Sequence, residues 1–456
     1  MADRQTLSEI YPRTGQLVRF IQRARTLAFP HHVVLEAKRA LIDYLGVAIG
    51  AVTDPAVSAV RQVALGWQAA GRAQIILGGQ TTPALAALIN GTMAHAADFD
   101  DTHPGGAGHP SGPCWSTALA LGQAQNLTEQ QVLAAFITGY EIMARLGGGG
   151  TQGIGRNLQR RGFHPTAIAG RAGATAVAAS LSGLDETASA NALGAAATMM
   201  GGLMKSSGTH GKPFHAGKAA MDGIMAAELA QSGFIAAHHF YEPEGWLKSF
   251  IQSGDVDVPL LDLGETWELS SNGYKRYASC RGTHAAIETA QGLFPELNGR
   301  HIAHVQAYVH PMCMINAGNP RPRTPLETKF SVQHCIALAL CGFPLGEQDF
   351  TGGKTADPQA RALLKKVVAQ AVEGQAPHES VIEISFTNGE QLRGETKVVR
   401  GHALNPLSLD ELHDKFSRLT VPALGSANSE RLFHTAANFE QPGALRTLTA
   451  LLVGRH

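Results

Sequence analysis

The segment from His95 to Pro113, HAADFDDTHPGGAGHPSGP, concentrates three histidines and three aspartates among glycines and prolines. We call it the His/Asp segment. Imidazoles and carboxylates are good metal ligands, but no HExxH motif or similar helical pair accompanies them. Aspartate and threonine are also common in turns, where their side chains accept backbone hydrogen bonds. A third interpretation, proton transfer or substrate binding, is favoured because three other segments carry the same residue types.

Those three segments place basic, histidine or thiol side chains where they can face a cleft. In GFHPTAIAG, His164 stands immediately before a predicted helix. In HGKPFHAGKAAMDG, Lys212 and His215 lie at a predicted helix N-terminus, where free N–H groups and the helix dipole favour anions. YKRYASCRGTH places Lys275 and Cys280 among further basic residues. Together, the four segments predict a cationic, histidine-rich cleft suited to a small polycarboxylate substrate.

The composition argues against several classes of partner. Basic and acidic residues both number 37, so no net charge attracts nucleic acid or an acidic membrane. No apolar run reaches the roughly 18 residues of a membrane span. The start, MADRQTLSEI, lacks the basic and apolar regions of a signal peptide. The five cysteines form no CxxC pair, which is typical of a reduced protein. We therefore expect a cytoplasmic protein with no nucleic-acid or membrane partner.

The hydrophobic pattern that must position these residues changes twice along the chain. First, segments such as HHVVLEAKRALIDYLGVAIGA repeat apolar residues at helical spacing, and Thr128 is a predicted N-cap. Then HIAHVQAYVH alternates like a strand, and Asn388-Gly389 separates two alternating runs as in a β-hairpin. Finally the helical pattern returns, with a capping box at Ser408 and Glu411.

These changes predict a mainly α protein. A large all-helical domain is formed by both chain ends, residues 1–268 and 405–456, and a smaller α+β lid domain is inserted at 269–404. The cleft between the two domains is the expected ligand site. Residues 148–153, GGGTQG, match a GxGxxG motif but follow a predicted helix rather than a strand, which argues against a dinucleotide cofactor.

Five ordered motifs resemble those of the MmgE/PrpD family: HAADFDDTH…GHPSGP, GFHPTAIAG, KPFHAGKAAMDG, YKRYASCRGTH and PLETKFS. The segments AKRALIDYLGVAIG and NPLSLDELHDKF extend the resemblance over nearly the whole chain. The family includes 2-methylcitrate dehydratases, cis-aconitate decarboxylase and iminodisuccinate epimerase. The resemblance implies a homodimer with a large helical domain, an inserted lid, and no metal or organic cofactor.

The motifs and the resemblance together predict the site residues. The predicted catalytic residues are Asp98, His109, His164, Lys212 and Lys275. The predicted substrate-binding residues are Thr102, Met204, His215, Cys280, Arg281 and His334. The other ionisable residues of the His/Asp segment are expected to shape the turn and support these side chains: His95, Asp100, Asp101 and His103.

The family reactions share one step, the making or protonation of a carbanion next to a carboxylate. We expect Lys212 and Lys275 to bind carboxylates and stabilise the developing charge. His109 and His164 are the expected general base and acid, because imidazole titrates near neutral pH. Asp98 is expected to orient a histidine or a lysine. Closure of the lid would exclude water and align the substrate.

Three differences from known family members bear on the reaction. Cys280 stands where cis-aconitate decarboxylase has a histidine, and His334 stands where it has a tyrosine. Gly112-Pro113 stands where the dehydratases have Asp-Asn. We therefore place first a cofactor-independent epimerase, which abstracts and returns a proton next to a carboxylate of a small polycarboxylate such as iminodisuccinate.

Two alternatives stay open beside the epimerase. The first is a lyase of the same family, a dehydratase or decarboxylase that acts on a citrate- or aconitate-like tricarboxylic acid. The second is a non-catalytic carboxylate-binding homologue. The number of titratable residues in each motif argues against the second alternative, because binding alone does not need them.

Overall fold

The structure is a computed structural model that describes residues 6–148, 153–251, 262–350 and 352–454. Two sequence features fall partly outside the described residues. These are the first five residues of the N-terminal segment and positions 149–152 of the GGGTQG motif.

Helices form most of the described chain up to Phe250. They are α1 (Leu7–Ile10), α2 (Pro12–Ala24), α3 (His31–Gly50), α4 (Pro55–Gly66), α5 (Pro83–Ala96), α6 (Ser111–Gln125), α7 (Glu129–Leu146), α8 (Ile154–Arg160), α9 (Pro165–Leu181), α10 (Glu186–Thr198), α11 (Gly211–Gln231) and α12 (Lys248–Phe250). A short antiparallel ribbon, β1 (Ala73–Gln74) and β2 (Gln80–Thr81), lies among them. This ribbon corrects the prediction of an entirely helical first part. The buried Gln74 amide closes it by donating to the carbonyl oxygens of Ile75 and Gly78.

The following part of the chain mixes helices with a four-stranded sheet. Its elements are α13 (His284–Leu293), β3 (Ile302–Val309), α14 (Pro311–Ala317), α15 (Pro325–Thr328), α16 (Val332–Leu340), α17 (Pro358–Leu364), β4 (Val367–Ala371), β5 (Ser380–Phe386) and β6 (Gln391–Thr396). The strand order is β4-β3-β5-β6, in which β3 and β4 are parallel and the other pairs antiparallel. Three further helices follow: α18 (Leu409–Leu424), α19 (Ser426–Ala437) and α20 (Ala444–Leu451).

Several local predictions are confirmed. The Thr128 hydroxyl accepts the Gln131 N–H at the start of α7, and the Ser408 hydroxyl accepts the Glu411 N–H at the start of α18. Asn388-Gly389 joins β5 to β6, with Gly389 in the left-handed region at φ 88°. The mainly helical fold is confirmed as well. The division into a helical domain and an inserted lid stays a prediction.

No single helix of the described residues is long and apolar enough to cross a membrane. Helices α3 and α4 reach the length and apolar content of a membrane span only when they are taken together, and the chain bends by 89° between them. Most side chains in the second half of α3 are buried, and α3 packs against α5 and α18.

Two glycines allow α5 and α11 to cross at very short range. A Cβ atom on Gly91 would lie 2.8 Å from the Cα of Gly217. A Cβ atom on Gly217 would overlap the carbonyl oxygen of Leu88 and the hydroxyl of Thr92. The His/Asp segment begins in the last turn of α5, and Lys212 lies in the first turn of α11. The crossing of these two helices therefore fixes the distance between the His/Asp segment and Lys212.

The C-terminal helices contact the N-terminal part of the chain. Lys415 on α18 donates to the Asp43 carboxylate on α3 at 2.6 Å and to the Phe99 carbonyl oxygen at 2.7 Å. The Lys415–Asp43 ion pair is buried. Since Phe99 lies within the His/Asp segment, this buried lysine holds that segment against both ends of the chain.

We expect Gly217→Ala to lower the free energy of unfolding by at least about 1–3 kcal/mol, because the added methyl group meets backbone rather than a flexible side chain. Urea unfolding followed by circular dichroism measures this. Gly66→Ala is the matched control, since a Cβ there meets open space at the end of α4. It should be neutral or stabilising by less than about 1 kcal/mol. Equal stability of the two variants would contradict the close crossing.

Candidate active site

A cavity of about 310 Å³ lies where the loop after α5 meets the first turns of α9 and α11. The loop that precedes α13 forms another wall. Nine of the eleven predicted site residues line this cavity: Asp98, Thr102, His109, His164, Met204, Lys212, Lys275, Cys280 and Arg281. The structure therefore brings together residues that are up to 183 positions apart in the chain, from Asp98 to Arg281.

The other two predicted residues lie elsewhere. His215 is on the first turns of α11 and does not line the cavity. Its Nδ1 lies 3.1 Å from Nδ1 of His164, so it contacts a residue that does line the cavity. His334 is buried in α16, where both ring nitrogens lack a hydrogen-bond partner among the described residues. Burial lowers the pKa of His334 to about 4, so it is a neutral core residue near neutral pH.

Asp98 bridges two lysines at the cavity wall. Its Oδ1 atom accepts a hydrogen bond from Lys212 Nζ at 2.6 Å and lies 3.0 Å from Lys275 Nζ. Lys275 also donates to the backbone carbonyl oxygen of Asp98 at 2.6 Å. Asp98 has φ 51°, in the left-handed region that aspartate adopts more often than most residues. This conformation lets one residue offer both a carbonyl and a carboxylate oxygen to Lys275.

The three charges of this Asp98–lysine cluster stabilise one another in a buried place. Burial alone would raise the pKa of Asp98, but the Lys212 and Lys275 ammonium groups outweigh it and hold that pKa below its usual range. Burial lowers the pKa of Lys275, and the Asp98 carboxylate opposes that shift. The result is a fixed array of buried donors at the cavity wall, which suits the binding of a carboxylate.

A hydrogen-bonded chain runs from Lys212 through His95 to Asp100. Nζ of Lys212 lies 3.1 Å from His95 Nε2, and His95 Nδ1 lies 2.8 Å from Asp100 Oδ2. Because a lysine ammonium only donates, His95 Nε2 accepts and its Nδ1 carries the proton. Burial lowers the pKa of His95 to about 4, against the opposing effect of Asp100. His95 thus contacts Lys212 directly and Asp100 contacts it through His95, and the supporting role expected from the sequence stays a prediction.

His109 and His164 both line the cavity as buried rings. His109 Nδ1 lies 3.3 Å from the same Asp100 oxygen, and the two ring centroids of His109 and His164 are 6.5 Å apart. Burial is the main cause that lowers both pKa values, and the positive charge of Lys212 lowers them further. Asp100 opposes this shift at His109. Both rings are therefore neutral near pH 7, and each can accept a proton.

Thr102 joins the His/Asp segment to the loop that carries Lys275. Its N–H donates to the Gly273 carbonyl oxygen at 2.8 Å, and the Gly273 N–H donates back at 2.9 Å. This pair of backbone hydrogen bonds places Lys275, two residues later, against Asp98. Thr102 therefore positions the Asp98–lysine cluster in addition to lining the cavity.

The ring nitrogens of His95 and His109 and a carboxylate oxygen of Asp100 lie within 4.8 Å of one another, a spacing that a metal ion can use. The Asp100 oxygen already contacts both rings. A hydrogen bond from His95 Nδ1 and a close contact with His109 Nδ1 therefore hold the three side chains together. The metal-free site remains a prediction.

Sequence reasoning missed several residues of the cavity wall. They are Arg156, Gln159, His310, Met312, His378 and His402. Most of them come from α8 and from loops beside the sheet, and none belongs to the motifs that identified the other residues. The one available signal was residue type, since arginine and histidine dominate the group.

Comparison with known proteins gives two consistent results. The MmgE/PrpD N-terminal domain model matches residues 15–259, and the MmgE/PrpD C-terminal domain model matches residues 277–441. The chain is 28% identical to a cis-aconitate decarboxylase of Homo sapiens over 388 residues, 82% of this chain and 80% of that protein. It is also 23% identical to a cis-aconitate decarboxylase-like protein of Aspergillus oryzae over 480 residues, 97% of both chains.

Asp101 differs in charge state from its neighbours in the His/Asp segment. Its carboxyl group accepts the Ser111 hydroxyl at 2.6 Å and the Ser111 N–H at 3.3 Å, at the start of α6. Burial nevertheless raises the pKa of Asp101 to about 8, with the Ser111 hydrogen bonds opposing the shift. The group is therefore protonated near neutral pH, beside the ionised Asp98 and Asp100.

This raised pKa predicts a pH-dependent stability. Between about pH 4 and pH 8 the unfolded chain has lost the Asp101 proton while the folded chain keeps it, so the free energy of unfolding falls as pH rises, by at most about 1.4 kcal/mol per pH unit. Asp101→Asn cannot titrate, so it should gain stability relative to the parent protein across this window. Urea midpoints at several pH values measure the difference, with Asp414→Asn as the exposed control. A pH-independent difference would contradict the assignment.

Proposed function

This chain belongs to the MmgE/PrpD family, and we propose that it is a cofactor-independent lyase acting on a small polycarboxylic acid of the aconitate or citrate class. The Asp98–lysine cluster carries the proposal, because it sets two ammonium groups beside two histidines in one cavity. The decarboxylases among the relatives support the lyase more than the epimerase that the sequence analysis placed first.

In a decarboxylation of this class, the bond between a carboxylate and its neighbouring carbon breaks. As carbon dioxide leaves, the electron pair of that bond forms a new double bond to the adjacent carbon, and the electrons of the original double bond move to the carbon at its far end. Negative charge then develops next to a remaining carboxylate, where Lys212 and Lys275 can stabilise it. A proton delivered to that carbon completes the product. The double bond of the substrate accepts the electron pair, so these steps require no cofactor.

His109 is the residue best placed to deliver that proton. Its Nδ1 faces Asp100, which leaves the other ring nitrogen for the substrate. Without substrate, burial keeps the ring neutral. A bound polycarboxylate brings negative charge into the cavity and raises the pKa of the ring, which favours uptake of the proton. His164, supported by His215, is the second proton-transfer group.

One observation favours the epimerase as a second candidate. An epimerase needs a proton-transfer group on each face of the substrate carbon, and His109 and His164 both line the cavity with their ring centroids 6.5 Å apart. The products distinguish the reactions, because an epimerase conserves every carbon atom and a decarboxylase loses one.

Incubation with cis-aconitate, citrate and iminodisuccinate in heavy water, followed by NMR, tests the proposal. We expect carbon dioxide release from the unsaturated tricarboxylate, with one solvent deuterium in the product. Deuterium exchange with inverted stereochemistry and no carbon loss would favour the epimerase. Binding of these acids without any reaction would instead favour the non-catalytic homologue.

Loss of the proton-transfer group or of a cluster lysine should remove this activity. We expect His109→Gln and Lys212→Met each to lower kcat by about 10²–10⁴-fold. His304→Gln, an exposed histidine on β3, is the matched control and should retain full activity. Unchanged activity in His109→Gln and Lys212→Met, with both variants folded, would reject the site.

A further inference from the structure

We propose that Arg156 and Arg281 form a second anion subsite in the same cavity, which binds a carboxylate of the substrate that the Asp98–lysine cluster does not hold. The inference rests on the proposed function, because it takes the ligand to be a polycarboxylate. It adds a requirement for a third carboxylate. Both arginines line the cavity.

The hydrogen bonds of the two arginines leave part of each guanidinium group unused. Arg156 donates to the Gln159 side-chain oxygen and to the Pro104 carbonyl oxygen, both at 3.1 Å. Arg281 Nη1 donates to the Tyr274 carbonyl oxygen at 3.3 Å and lies 3.5 Å from His284 Nδ1. Among the described residues, Arg156 Nε and Arg281 Nη2 are buried without any hydrogen-bond partner. A buried donor without a hydrogen-bond partner lowers the stability of the folded protein, and a ligand that accepts this hydrogen bond removes that loss.

The two arginines are partly buried, and they lack the close carboxylate partner that buried cations elsewhere in the protein have. Arg171 pairs with Asp222 at 2.7 Å, and Lys415 pairs with Asp43 at 2.6 Å. Within the described part of the chain, no carboxylate lies within ion-pair distance of Arg156 or Arg281. Glu288 interacts with Arg281 from beyond ion-pair distance, and no described carboxylate forms an ion pair with Arg156, so an anion that enters the cavity is stabilised by partly buried positive charge.

Both guanidinium groups stay charged near neutral pH. Burial lowers the pKa of Arg156 to about 10 and that of Arg281 to about 10, still well above neutrality. Arg156 lies close enough to Cys280 for the two groups to interact, and Arg281 is the next residue along the chain. The arginines therefore come from different segments, α8 and the loop before α13, and both line the cavity.

A guanidinium fork binds a carboxylate through two parallel hydrogen bonds, which a lysine cannot do. Two guanidinium groups and two lysine ammonium groups line the same cavity. This arrangement makes the cavity selective for an acid whose carboxylates lie at separate positions. Dicarboxylates occupy the Asp98–lysine cluster alone, whereas a tricarboxylate reaches both sets of cations. Arg156 and Arg281 thus determine specificity, and proton transfer is left to the histidines.

Calorimetric binding of two unreactive probes tests this subsite. Propane-1,2,3-tricarboxylate and glutarate differ by one carboxylate. We expect the parent protein to bind the tricarboxylate more tightly. Arg156→Gln and Arg281→Gln should each weaken tricarboxylate binding by about 10–100-fold and leave glutarate binding within about threefold. Arg393→Gln, on the exposed strand β6, is the matched control and should leave both affinities unchanged.

The outcomes separate the subsite from the proposed function. Lys212→Met should weaken the binding of both probes, since both probes bind to the Asp98–lysine cluster. If the arginine variants keep the parent's preference for the tricarboxylate, the proposal of a second subsite is wrong. The proposal that the cavity binds carboxylates is then unaffected. If the parent protein binds neither probe, the proposed function fails and the subsite with it. Should Arg281→Gln not fold, Arg281→Lys keeps the charge without the fork, and we expect about a tenfold loss of tricarboxylate affinity.

Discussion

The carboxylate of Asp98 lies between two buried ammonium groups, and most of the surrounding architecture serves to keep it there. Lys212 belongs to α11 and Lys275 to the loop before α13, so the ion cluster joins parts of the chain that are distant in sequence. Two positive charges side by side at a buried site repel each other, and only a shared carboxylate makes their proximity stable. That same proximity is what a reaction with a developing carbanion requires.

The packing of α5 against α11 makes this ion cluster possible. Glycines at the crossing of α5 and α11 let the helix axes approach closely enough for Lys212 to reach both Asp98 and His95. The hydrogen bonds from Lys212 through His95 to Asp100 then hold the imidazole of His109 at the cavity. The Asp98–lysine cluster and His109 are therefore connected through His95 and Asp100.

Sequence reasoning predicted the parts of this site whose signals are local. His164 before α9 and Lys212 at the start of α11 are recognisable from helix-start patterns, and the β5–β6 hairpin from Asn388-Gly389. Arg156 was missed because its proposed role depends on which charged groups lack a partner, and that is a property of tertiary packing. His334 was placed in the site by motif position, but it is buried in α16 and does not line the cavity.

The central claim is that Asp98 stabilises the two lysines as charged groups, and a double-mutant comparison of unfolding free energies at pH 7 tests it most directly. Asp98→Asn should lower the unfolding free energy by about 3–5 kcal/mol, because it leaves two adjacent buried charges without their partner. Adding Lys212→Met to that variant should restore much of the loss. Glu244→Gln, in an exposed ion pair, is the control and should cost less than about 1 kcal/mol. An Asp98→Asn variant as stable as the parent protein would contradict the account.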